Sequence, residues 1–238
     1  HMIRTETGYN RSRGIVKLKL LSILLIINLL LIGCNKEDAK YPLKFNELSY
    51  LKIEKLDSDN IDKIIEEKII DEEHSAFIFM GYENSEYEVG INYKGQVYYL
   101  GQVSMENTPE GMMGIEETQV FGEKTVKIYG ILGANYGQAY YWFPGEESEE
   151  SVIQVDGNTR EIDLDGDDMN EIVSTSGTIP QTRIYMLKEG KIYACEINES
   201  IGAKSVILKD KDKKLFEVYF EPDKPQKFIY YEDFFIKR

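Results

Sequence analysis

Beyond residue 74 the chain alternates apolar and polar positions with a period of two, the pattern of half-buried strands. Val89-Gly90-Ile91-Asn92-Tyr93 and Gln96-Val97-Tyr98-Tyr99 flank Lys94-Gly95, which predicts a hairpin. Ile184–Leu187 and Lys191–Ala194 flank Lys188-Glu189-Gly190 in the same manner. Further strands are predicted at 75–82, 118–121, 125–132, 138–143, 151–155, 171–175, 204–208, 215–220 and 227–235. One earlier segment has a different period. Ile61, Ile64, Ile65, Lys68 and Ile69 recur at helical spacing, which predicts one N-terminal helix ending near Asp71–Glu73. Asp59 or Asn60 would cap it, and Asp62 in the first turn would favour its dipole.

A longer period underlies the strands. Val126, Ile172 and Val218 are each 46 residues apart, and Glu171 and Glu217 share that offset. An aromatic strand follows each about a dozen residues later, at Gln138–Phe143, Arg183–Leu187 and Lys227–Tyr231. A period near 46 is the length of a β-propeller blade, and four such units fit between His74 and Arg238. The expected fold is mainly β: propeller-like or stacked antiparallel sheets from about four 46-residue units, with a β-sandwich as the alternative. Residues 45–74 would form a helical N-terminal segment and 75–238 the β-rich domain.

The first 44 residues carry a different message. Lys17 and Lys19 lead a hydrophobic run of about fourteen residues that ends at Leu31-Ile32-Gly33-Cys34. A bilayer span needs about 20 apolar residues, so the run fits an export signal over 1–33. Its ending resembles the bacterial lipobox, in which signal peptidase II cuts before a cysteine that then carries diacylglycerol, here Cys34. The resemblance implies a protein held on the outer side of a membrane by that lipid, with palmitate-type acylation. Residues 1–15 fit no such signal; His1-Met2 reads as a cloning scar or an artefact of gene calling, and Val16 as the expected start. Residues 34–44 would be a polar tether. The richness in Ile, Lys, Asn and Tyr suggests a low-GC genome and a Gram-positive surface.

Charge narrows the partners. Residues 1–33 hold five of the 28 basic and one of the 42 acidic residues, leaving 23 against 41, a net of −18. Such a surface disfavours nucleic acid and anionic lipid, which reward basic patches. Two cysteines exclude a disulfide framework.

The acid is concentrated in one motif, Asp163-Leu164-Asp165-Gly166-Asp167-Asp168-Met169-Asn170-Glu171-Ile172-Val173. Carboxylates at positions 1, 3, 5 and 9 of a tight loop can converge on one calcium ion, with the Met169 carbonyl as a further ligand. Gly166 permits the bend. An EF-hand is disfavoured, because Ser174 stands where its last glutamate belongs and no helix is predicted on either side. The loop resembles the Asp-x-Asp-x-Asp-x-x-x-Asp/Glu motif of FG-GAP and VCBS-type β-propeller repeats, which precedes a strand as Glu171-Ile172-Val173 does. That likeness implies a structural calcium held by Asp163, Asp165, Asp167 and Glu171. It departs from the pattern at Asp168, where glycine is usual. The related loop at Asp210–Glu217 carries Lys213 and Lys214 in place of acids, and Phe121–Thr125 lacks the motif. One calcium site is therefore expected.

The remaining candidates read as structural. His74 sits at the end of the predicted helix, and Cys195 lies mid-strand, with acylated Cys34 no partner for it. Gly130–Gly137 reads as a loop between strands, Met112-Met113 as part of a connection that could cover a groove, and Glu146–Glu150 as a solvated acidic loop. Tyr136, Tyr140, Tyr141, Trp142 and Phe143 form either core packing or a binding platform. The expected function is a surface-anchored, non-catalytic, calcium-stabilised binding module for an envelope protein or glycan. Alternatives are an extracytoplasmic hydrolase acting on glycan or peptide through carboxylates, and an inhibitor or immunity-type lipoprotein.

Overall fold

Strict alternation over 139–143 sets the architecture. Ala139, Tyr141 and Phe143 join one hydrophobic cluster while Tyr140 and Trp142 join another. This strand is buried on both faces, so its sheet lies between two others. The computed structural model describes residues 39–82, 85–109, 111–145 and 151–238. Within it, Lys40–Arg238 forms one compact unit.

Three short strands come first: β1 (Lys40–Pro42), β2 (Asn46–Glu47) and β3 (Glu54–Lys55). Four antiparallel meanders follow. Sheet I holds β4 (Ile61–Ile69), β5 (His74–Gly81), β6 (Glu86–Tyr93) and β7 (Gln96–Met105). Sheet II holds β8 (Gly114–Val120), β9 (Glu123–Gly133), β10 (Tyr136–Trp142) and β11 (Val152–Asp156). Sheet III holds β12 (Asn158–Ile162), β13 (Glu171–Ser176), β14 (Gln181–Lys188) and β15 (Lys191–Glu196). A short helix, α1 (Ile197–Ile201), ends at Gly202 in left-handed conformation and leads to sheet IV. That sheet holds β16 (Ser205–Asp210), β17 (Leu215–Tyr219), β18 (Pro225–Tyr231) and β19 (Phe234–Lys237). The fold is mainly β, four antiparallel sheets of which none closes on itself.

Three hydrophobic clusters join the sheets in sequence order. Val89, Ile91, Ile128 and Trp142 pack between sheets I and II. Val120, Tyr141, Ile153 and Tyr185 pack between II and III. Val173, Ile184, Phe216 and Phe228 pack between III and IV. The 46-residue period has a structural meaning in this stack. Val126, Ile172 and Val218 are all buried, each on the second strand of its sheet.

The first three strands act as a strap. β1 pairs with β19 of sheet IV, β2 with β15 of sheet III, and β3 with β7 of sheet I. Between them, Leu51 N donates to Val152 O on β11 of sheet II at 2.8 Å. Leu43 N to Asp233 O, Leu48 N to Ile192 O (both 2.8 Å) and Leu56 N to Val97 O (3.0 Å) extend the same ladder. The strap thus crosses the last-strand edge of all four sheets in the order IV, III, II, I.

The structure corrects four expectations. Residues 61–69 form strand β4, not a helix, and residues 45–60 hold only one short turn of 3-10 helix, at Ser58–Asn60. The helical spacing of the isoleucines arises from two β-bulges, where the register with β5 shifts between Ile61 and Lys63 and again between Ile64 and Glu66. Each bulge resets the inside–outside alternation, so Ile65 packs against the core while Ile64 is 46% exposed. The tether assigned through Lys44 is likewise too long, since β1 already joins sheet IV from Lys40. The predicted strand 227–235 is two strands, broken at Glu232 and Asp233, both with positive φ. Gly130–Gly133 belongs to β9, which leaves only Ala134-Asn135 as the turn. The expected export signal, Cys34 and Glu146–Glu150 lie outside the described residues.

Gly130 marks a close approach of sheets I and II. A Cβ there would lie 2.3 Å from the Val103 carbonyl oxygen, which is backbone and cannot swing aside. Gly130→Ala is expected to cost about 1–3 kcal/mol of stability. Urea unfolding measures this, and an unchanged midpoint would refute the close approach.

Candidate metal centre

The acidic loop connects β12 to β13 and is built by its own aspartates. Asp163 Oδ1 accepts from Gly166 N at 2.5 Å, and Oδ2 from Asp168 N at 3.3 Å. Asp165 Oδ1 accepts from Asp167 N at 3.2 Å, and Asp167 Oδ1 from Met169 N at 2.8 Å. Gly166 and Asp168 adopt positive φ, so at Asp168 a non-glycine residue takes the left-handed conformation. Short aspartate side chains that bond the backbone two residues on tolerate such turns. Glu171, at the start of β13, is 4% exposed and accepts from Leu164 N at 2.6 Å.

Carboxylate oxygens of Asp163, Asp165 and Glu171 lie within 4.8 Å of one another. Asp167 is outside this group, its side chain turned to Met169 N. Electrostatics record the crowding. Burial raises the Glu171 carboxyl to about 7, the Leu164 N–H opposes this, and the charges of Asp165, Asp167 and Asp163 add to it. Asp165 is raised by burial and by neighbouring Asp167. Burial would raise Asp163 as well, but the Gly166 N–H and the Lys214 ammonium outweigh it and hold this carboxyl low. Lys214 Nζ stands 3.5 Å from Asp163 Oδ1.

The loop's place in the stack was not legible from its spacing. It occupies the first-to-second-strand connection of sheet III, and the equivalent turns of sheets II and IV flank it. Phe121 N donates to Asn170 O at 2.9 Å, and Asn170 Nδ2 donates to Gln119 O at 3.1 Å. Lys214 comes from the β16–β17 turn, the segment related to the loop by the internal repeat. The motif therefore sits at a joint between three sheets.

The other candidates are dispersed. His74 Nδ1 bonds the Asp71 carboxylate at 2.8 Å, and its ring packs on Tyr93 and Trp142. Cys195 is fully buried in sheet III, where burial raises its thiol and Ser200 Oγ lies 3.3 Å away. Tyr140, Tyr141, Trp142 and Phe143 are core residues, whereas Tyr136 is 41% exposed. Met112 lines a groove beside Tyr129 and Gln138. That groove also holds a group not foreseen: Lys127, nearly buried, with Nζ 3.0 Å from Glu116 and 2.9 Å from Glu161. Tyr141 Oη donates to Glu161 at 2.5 Å. Burial opposes ionisation of Glu161, but Tyr141 and Lys127 prevail and its carboxyl is lowered. Periodicity hid this network because Lys127 occupies an inward position of a strand otherwise read as apolar.

No protein-family profile, curated protein or solved structure matches this chain.

The raised Glu171 carboxyl has a consequence in metal-free protein. Its folded pKa exceeds the unfolded value, so the native state retains a proton that the unfolded chain releases. Stability contributed by the neutral carboxyl is full below about pH 4.5 and is lost as pH rises to about 7. Over that window, in EDTA, this residue is expected to cost about 3 kcal/mol. Glu171→Gln should flatten this part of the pH–stability profile, as read by urea unfolding at stepped pH; an unchanged slope would show that Glu171 is not the group responsible.

Proposed function

We propose that this chain is a lipid-anchored, extracytoplasmic binding module whose sheet stack is stabilised by one calcium ion. The observation that carries the metal reading is the convergence of Asp163, Asp165 and Glu171 within 4.8 Å at a joint between sheets. Three carboxylates, with Lys214 as the one paired cation among the described residues, make a hard, oxygen-rich donor set, which suits calcium better than a soft or imidazole-preferring metal. Asp167 would complete the set by turning inward, with the Met169 carbonyl. Bound there, the cation would supply the charge compensation that this crowded cluster lacks. On this reading the four meanders are propeller-type repeat units in an open stack, and only the unit at sheet III retains the metal loop.

Anchoring rests on the basic start, apolar run and cysteine of residues 17–34, with diacylglycerol on Cys34 holding the domain at the cell surface. Among the described residues no helix is long and apolar enough to cross a membrane. One observation favours the competing hydrolase: a carboxyl raised to about 7, as a general acid requires. Glu171 is a poor candidate for that work, because it is buried against Leu164 N and lines none of the grooves described.

Thermal unfolding in EDTA and in millimolar calcium tests the metal reading. A ligand at 100 times its dissociation constant adds about 2.7 kcal/mol, a rise of several degrees for a domain of this size. Asp165→Ala should abolish the rise. Equal midpoints with and without calcium in the parent protein would overturn it.

A further inference from the structure

On an acidic domain, one groove carries no acid. It lies between sheets III and IV at their first-strand edge, has a volume of about 430 Å³, and is lined by Arg160, Lys209 and Lys211. Asn135, Asn158 and Thr175 supply amide and hydroxyl groups to the same walls, and no carboxylate side chain faces it among the described residues. Lys209 reaches Glu217 on the paired strand β17 at 3.5 Å. Arg160 and Lys211 have no carboxylate partner among the described residues; the Arg160 guanidinium donates only to the Thr159 carbonyl, at 2.9 Å. In a chain where acids outnumber bases 42 to 28, two cations without a carboxylate partner among the described residues line one cleft, a favourable place for negative charge.

The cleft does not end at sheet III. Asn158 and Arg160, on edge strand β12, also line the neighbouring groove of about 380 Å³ between sheets II and III. There the Tyr129 ring, Gln138 and Thr159 form the wall. The one carboxylate in that lining, Glu116, is engaged by Lys127 at 3.0 Å. Both volumes fall within the roughly 300–1,000 Å³ of small-ligand sites, and the shared residues make them two stations of one path over β12. Side-chain amides, hydroxyls and a tyrosine ring suit a hydroxyl-rich chain, and the cations at one station require that it carry negative charge.

We propose that this path binds an acidic polysaccharide, with Arg160 and Lys211 pairing its carboxylates and the Tyr129 station holding the adjoining sugar. The proposal refines the binding-module reading and supplies its ligand class. It does not depend on the metal, because neither groove is lined by Asp163, Asp165 or Glu171.

The test is calorimetric titration of the full chain with a hyaluronan hexasaccharide, beside neutral maltohexaose, in EDTA and again in calcium. Binding of the acidic sugar is expected in both buffers, weakening as salt is raised. Loss of one charge-assisted contact corresponds to about a tenfold weaker affinity, so Arg160→Ala and Lys211→Ala should each show it with unchanged thermal midpoints. Both positions are exposed, so neither change should disturb folding. No binding of the acidic sugar, equal binding of the neutral one, or full affinity in both variants would overturn the proposal. Binding confined to the calcium buffer would assign recognition to the acidic loop instead, and would overturn the groove while leaving the metal reading intact.

Discussion

Backbone hydrogen bonds from a single extended segment, residues 40–56, close one edge of every sheet in this protein. The rest of the structure depends on that ladder. The three hydrophobic clusters hold neighbouring sheets pairwise, so by themselves they leave a row of meanders that contacts only nearest neighbours, as in solenoid proteins. An open row also exposes strand edges, which invite pairing with other chains. The strap answers both problems. It satisfies the backbone groups of β19, β15, β11 and β7, and it links the fourth sheet to the first through one covalent segment. The opposite edges, at β4, β8, β12 and β16, are managed differently. β4 is bulged twice, and β12 is five residues long with Arg160 at its centre.

Charge follows the same layout. Acid dominates the chain, yet two cations with defined partners stand where sheets meet: Lys127 between Glu116 and Glu161, and Lys214 against Asp163. The acidic loop concentrates unfavourable energy at such a joint, with Glu171 pushed toward neutrality by burial and by three aspartates. A group this costly is retained more readily when a cation relieves it, which connects the local electrostatics to the proposed metal. The groove between sheets III and IV is the complementary feature, a lining with no carboxylate side chain among the described residues. The proposed recognition surface thus lies at the unstrapped, first-strand edge of the stack.

Much of this was legible because the strands are long and alternate. Hairpins such as Lys94-Gly95 and Glu189-Gly190 announced themselves by their turn residues, and both carry the positive φ those turns require. The 46-residue offset found equivalent second strands through Val126, Ile172 and Val218, since each packs at the same level of a repeated unit. The strap was invisible for the opposite reason: strands of two or three residues have no period to detect. β4 misled because its two bulges shift the phase of alternation, turning a strand of isoleucines into an imitation of a helix. In the acidic loop, spacing predicted the convergence of Asp163, Asp165 and Glu171 but not the outward turn of Asp167. Nothing local could place the loop beside Asn170's partner Gln119 or beside Lys214, because those contacts are made between repeat units.

The strap is the element on which the account stands, and amide hydrogen exchange measures it directly. If residues 40–56 hold the four sheets as one unit, the amides of Leu43, Leu48, Leu51 and Leu56 should exchange only through global unfolding, as slowly as those of the inner strands β9 and β13. Exchange of these four amides at the rate of exposed loops, with the sheets still protected, would contradict it and reduce the strap to a peripheral addition.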